Sequence, residues 1–409
     1  NVAVGYGAGA AVTTGIQNTL IGGLAGDAIT TGANNVTVGY AALTSATTAD
    51  NNTAIGRGVL NETTTGAGNT GVGKGALESN TTASNNTAVG LDALTANTTG
   101  TENTAIGQNA LATNTTGREN DASGRKSLFA NTTGSYNSAS GATALATNTT
   151  GVNNTAHGYR ALYLNTTASN NTAVGYQSLY ANTTGTNNVA IGALAGDALT
   201  TGNENVAVGF EALSTEDAHG GATAVGSGAL KTQNAGATSF NTAVGYLAGN
   251  LVTTGIKNTI VGALAGDALT DADFNVALGY NTLSSDTLGS QTVAIGSGAL
   301  YTQNFTSATA SNNTAVGHDA GNKVTTGVQN TIVGALAGDA MTSGDSNTFI
   351  GYFSAGNGVV TGDTNTAVGV SAGLALTSGS NNLCLGKDAG RTGSPGGNVT
   401  THNNKIFLS

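Results

Sequence analysis

The residues best suited to chemistry are few and scattered. Histidine occurs at His157, His219, His318 and His402, and cysteine only at Cys384. A zinc site needs three or four such ligands at short, characteristic spacings, and none is present here. A serine nucleophile needs a histidine held by a carboxylate, and no such set can be argued from these positions. Gly-rich strings such as Gly5-Tyr6-Gly7-Ala8-Gly9 lack the lysine and the strand-then-helix context of a phosphate loop. Asp27, Asp197, Asp267 and Asp339 recur in Leu-Ala-Gly-Asp-Ala segments, and each offers one carboxylate, which suits turn chemistry better than calcium. The expectation is a non-enzymatic chain with no catalytic residue, no metal site and no cofactor.

What must position these residues is a repeat. Aligning on the glycine that follows Asn-Thr-Ala-Val gives Gly5, Gly22, Gly39, Gly56, Gly73, Gly90 and Gly107, and the step of 17 continues to Gly226. After slips at Gly245, Gly317 and Gly369 the register resumes, for 23 markers in all. A short fixed period along the whole chain means a solenoid. Seventeen residues are too few for two packed helices, and the unit is rich in Gly, Thr and Val, so each repeat reads as one coil of a parallel β-solenoid, or β-roll. Two short strands per coil are expected, one over Asn-Thr-Ala-Val and one over the Ala-Leu region, with Gly and Asn-Thr-Thr-Gly at the corners. The Asn opening each repeat, as at Asn18, Asn35, Asn52, Asn69 and Asn86, is expected to stack into a hydrogen-bonded ladder. The shaft spans residues 1–390, and 391–409 reads as an irregular C-terminal segment.

Composition agrees. With 63 Gly, no Trp and 8% charged residues in 409, bulky side chains are too scarce for a globular interior. Disordered chains are highly charged and poor in β-branched apolar residues, whereas Val, Ile and Leu keep a fixed beat here. The net charge of −10 and the absence of a basic stripe argue against nucleic acid. No apolar run approaches the roughly 20 residues that cross a bilayer, so no membrane insertion is expected.

Neighbouring residues on a strand face opposite sides. Both slots before the marker glycine are nevertheless apolar or small, so one face fills the coil and the other needs cover. Sister chains are the simplest cover, and a parallel homotrimer is the expected assembly. Ser123, Ser140 and His157 are three exceptions in the apolar slot, in successive coils, and read as a polar break in a core slot. Arg125, Lys126 and Arg160 lie beside them. Tyr159, Tyr163, Tyr176 and Tyr180 fall in matching slots of the next two coils, so Tyr159, Arg160, Tyr163, Tyr176 and Tyr180 form a candidate receptor or glycan contact. A tolerated defect beside a stabilising Tyr ladder is the other reading.

The unit Asn-Thr-Ala-Val-Gly resembles the β-roll head repeats of trimeric autotransporter adhesins, which are shorter than 17 residues. The longer form NTAVGYQSLYANTTG is similar to repeats of phage tail-fibre proteins of the chaperone-tailed, endosialidase-type class. That resemblance implies a trimeric fibre shaft projecting from a virion, extracellular, and attaching to a glycan or protein receptor on a host cell. A bacterial surface adhesin or extracellular filament is the alternative. In such fibres the C-terminal chaperone domain cuts itself off after a serine, which makes Ser409 a candidate processed C-terminus; an ordinary boundary is the other reading. An ice-binding solenoid is disfavoured, because Val2, Val36, Val189 and Val206 interrupt the Thr column.

Overall fold

The computed structural model describes residues 1–393, 397 and 399–409. The chain is all-β, a parallel β-solenoid of about 23 turns on a 17-residue repeat. No helix among the described residues is long and apolar enough to cross a membrane. Contacts divide the chain into two units, Asn1–Glu204 and Asn205–Ser409. The first unit carries twelve three-residue strands, β1 (Val2–Val4) to β12 (Val189–Ile191). The second runs from β13 (Val206–Val208) to β26 (Ile406–Leu408). Within each unit, neighbouring coils pair in parallel and in register, so that Thr155, Ala156 and His157 of β10 (Thr155–His157) lie beside Thr172, Ala173 and Val174.

The marker glycine is required twice over. Gly90 has φ +143°, a backbone that L side chains rarely adopt, and a Cβ there would stand 2.5 Å from the carbonyl oxygen of Gly107 in the next coil. The glycines of Asn-Thr-Thr-Gly are different. Gly100, Gly117 and Gly134 have no left-handed backbone, yet an added Cβ would meet the next coil's carbonyl oxygen, so space alone fixes them.

Two asparagine ladders hold the coils together. In the anticipated one, Asn35 Nδ2 donates to Asn18 Oδ1 at 3.1 Å and to the Ala49 carbonyl at 2.8 Å, while its own N–H donates to the same Asn18 Oδ1 at 2.9 Å. The second was missed at the sequence level. It consists of the corner asparagines, with Asn114 donating to Asn97 at 3.0 Å, Asn131 to Asn114 at 2.8 Å and Asn148 to Asn131 at 2.9 Å, all fully buried. In the second unit the same inner column holds acid–amide pairs: Gln233 Nε2 donates to Glu216 at 3.3 Å, and Gln303 Nε2 to Asp286 at 2.7 Å.

The expected second strand of each coil is absent. The Ala-Leu region is a turn in which Leu94, Leu111 and Leu128 have φ of 51°, 49° and 49°. A left-handed residue costs about 1–2 kcal/mol. Burying a leucine side chain contributes roughly 1.5–3 kcal/mol, and all three are fully buried. Their N–H groups still pair between coils, as in Leu94 to Ala110 at 3.0 Å. Burial therefore outweighs the strain, and the coil closes within 17 residues.

The strand has an inner and an outer face. Its middle residue, usually Ala, is buried, whereas the third, usually Val or Ile, points outward: Ile106 is 45% and Ile191 42% exposed. The narrow coil admits only the smaller side chain. Ser123, Ser140 and His157 occupy this third position, so the polar break is not in a core slot but on the outward stripe. Cys384 does take the inner position of β25 (Leu383–Leu385), where burial pushes its thiol pKa up to about 11.

The described part of 391–409 is not wholly irregular. Ile406–Leu408 pairs in parallel with β25, placing Phe407 against Cys384 in the buried column. Lys405 N–H donates to Asn382 Oδ1 across 23 residues rather than 17. The ladder thus continues past residue 390 because Phe407 and Asn382 restore the pattern after a longer connection.

Candidate binding surface

The register gathers the candidate residues of the first unit on adjacent coils. Ser123 pairs with Ser140, and Ser140 with His157, so the three form one outward row on successive strands. His157 Nε2 lies 3.2 Å from Ser138 Oγ. One and two places after the marker glycine, Thr143 N–H donates to the Arg125 carbonyl at 2.9 Å and Arg160 N–H to the Ala142 carbonyl at 3.2 Å, which fixes the coil-to-coil alignment of that surface.

Two tyrosine pairs stack along it. The rings of Tyr159 and Tyr176 are 5.8 Å apart at 18°, and those of Tyr163 and Tyr180 are 5.5 Å apart at 5°. The Arg160 guanidinium sits between columns, 5.2 Å from the Tyr159 ring and 5.3 Å from the Tyr163 ring. Its Nε is buried without a hydrogen-bond partner. One arginine thus touches two aromatic faces, at distances where cation–π attraction operates. Lys126 lies 5.3 Å from the Phe129 ring, and Arg118 5.6 Å from that of Tyr136. The pairings through Phe129 and Tyr136 escape a linear reading, because they join residues three or eighteen apart that only the coil brings together. No Asp or Glu occurs between Asp121 and Asp197, so this stretch is cationic within an acidic chain.

The remaining candidates stay dispersed. Asp27, Asp197, Asp267 and Asp339 do not converge on one another in the pairing of coils; Asp267 Oδ1 accepts from Ser284 Oγ at 2.7 Å, while Asp27 and Asp339 each keep one buried carboxylate oxygen without a donor. Burial raises the pKa of Asp339, with Lys323 opposing and Asp319 reinforcing that shift. Glu216, Asp217 and His219 present ligand atoms within 4.8 Å of one another, a grouping that linear spacing did not flag. Glu216 is already engaged by the protein: Oε1 accepts from His219 N–H at 3.1 Å, and Oε2 from Gln233 Nε2 at 3.3 Å and Ala235 N–H at 3.1 Å. Ser409 N–H donates to the Leu385 carbonyl at 3.0 Å, tying it to β25.

Comparison of the chain with protein-family models and with curated proteins finds no match to either.

Proposed function

We propose that this chain is the non-enzymatic shaft of a homotrimeric extracellular fibre that attaches to a host cell surface, of the phage tail-fibre kind. The observation that carries the reading is the outward stripe of Val and Ile at the third strand position, interrupted only by Ser123, Ser140 and His157 in the first unit. Large continuous apolar surface on a soluble protein marks an interaction face. Each rung of the stripe recurs at the strand spacing, so a sister chain carrying the same rungs is the natural cover, and three chains around an axis bury all three stripes. The cationic and tyrosine-bearing surface around Tyr159–Tyr180 supplies the receptor or glycan contact.

The test is the solution mass. Light scattering or native mass spectrometry is expected to give three times 39.6 kDa. A monomer at micromolar concentration would reject the shaft assembly, and a dimer would reject the trimer.

A further inference from the structure

The second unit contains a different kind of site. The column that follows the marker glycine carries aromatic residues on many coils, and where two adjacent coils both have one, as at Tyr159 and Tyr176, the rings stack directly at 5.8 Å. Around Ser227 that column is interrupted. Phe210 occupies it on one side and Tyr246 on the other, while the intervening coil offers only Ser227 and Gly228. The alignment is fixed by the ladder, with Gly228 N–H donating to the Phe210 carbonyl and Leu247 N–H to the Ser227 carbonyl, each at 2.9 Å. The result is a notch of about 470 Å³, within the roughly 300–1,000 Å³ of small-molecule sites.

Its dimensions follow from the coil spacing. Two steps separate Phe210 from Tyr246, about 10 Å, and stacked rings lie about 4.5–7 Å apart between centroids. One ring is missing from the stack. Both walls are exposed, Phe210 at 52% and Tyr246 at 58%. Glu211 and Lys231, ion-paired at 2.5 Å, belong to the lining together with the Ser227 hydroxyl. A ligand that fills this gap needs flat apolar faces for the two rings and hydroxyl groups at its edge for the carboxylate, the ammonium and the serine. We infer that the notch binds one pyranose ring, sandwiched between Phe210 and Tyr246 with its hydroxyls turned to Glu211 and Lys231.

An aromatic hydrocarbon would satisfy the walls and leave the charged edge unmatched. A related notch recurs where Ser297 and Gly298 form the floor, but it measures about 220 Å³ and lies between Tyr280 and Asp319, with no second ring opposite. It shows that a Ser-Gly coil opens a gap and lacks the sandwich. The inference stands apart from the shaft reading, since it concerns other residues and survives any outcome of the mass measurement.

Saturation-transfer NMR on the full chain tests it, using methyl glucopyranoside, galactopyranoside, mannopyranoside and N-acetylglucosaminide as probes. At least one is expected to receive saturation on its ring C–H protons. Ser227→Tyr supplies the missing ring from the protein itself, at a column position that already accepts tyrosine, and is expected to weaken that binding at least tenfold. Phe210→Leu, which keeps the bulk and removes the ring, is expected to do the same and carries the test should Ser227→Tyr not fold. Absence of binding by every probe, or wild-type binding in the folded variants, overturns the inference.

Discussion

Asn131 donates its side-chain amide to Asn114 Oδ1 at 2.8 Å while its own Oδ1 accepts from Asn148 at 2.9 Å, so one buried residue closes a contact on each side of its coil. Asn131→Ala leaves an acceptor and a donor unpaired, each costing about 1–3 kcal/mol. Amide hydrogen exchange is expected to show lost protection centred on the coils of Asn114, Asn131 and Asn148. Asn153→Ala removes an exposed amide pair to Asn170 and is expected to leave protection within about 0.5 kcal/mol of wild type. Equal effects from the two changes would deny the inner ladder its role.

Glycine substitutions separate geometry from composition. Gly90→Ala combines a left-handed backbone with a collision against the Gly107 carbonyl, and neither backbone can yield without breaking the register. A loss above about 3 kcal/mol is expected, at the severe end for point substitutions. At Gly236 a Cβ would meet nothing within 4 Å, so Gly236→Ala is expected to be neutral. Thermal melts of the two variants check both statements; a mild Gly90→Ala would contradict the packing described.

Burial raises the pKa of Asp286 above 3.8, against hydrogen bonds from Gln303, Phe305 and Gly289 that lower it. The folded state then binds its proton more tightly than the unfolded chain does. Stability from this group is full below 3.8 and is lost as pH rises through the raised folded value. Melting temperatures measured from pH 3.5 upward are expected to carry this downward contribution, and Asp286→Asn is expected to remove it. Identical pH slopes for the variant and the wild type would count against it.

The aromatic surface of the first unit makes its own prediction. Tyr163→Ala together with Tyr180→Ala removes one stacked pair and one of the two faces against Arg160. Attachment to cells is expected to fall at least tenfold, with solution mass unchanged. Unchanged attachment would leave these tyrosines as a packing ladder only.

Much of the architecture was legible because the marker glycine and the opening asparagine each serve a backbone requirement that every coil repeats. Which of two adjacent apolar columns faces inward was not legible, since both hold small or β-branched residues, and only the width of the coil selects Ala over Val. The Ala-Leu segment misled because Leu94 and its equivalents trade an unfavourable backbone for burial, a balance that propensity does not register. Corner asparagines such as Asn97 and Asn114 resembled turn formers and proved to be interior. The tyrosine group was visible once residues 17 apart were aligned. The notch at Ser227 was not, because its signal is a side chain missing from a column.

Because each strand is only three residues long and pairs with its neighbour in fixed register, length changes are quantised. Where the spacing departs from 17, as between Asn382 and Lys405, the surplus leaves the ladder as a loop and pairing resumes beyond it. Deleting or duplicating a block of 17 residues inside either unit would shorten or lengthen the stack by one rung without disturbing the rest, which makes this fold a molecular ruler graduated by its own hydrogen bonds.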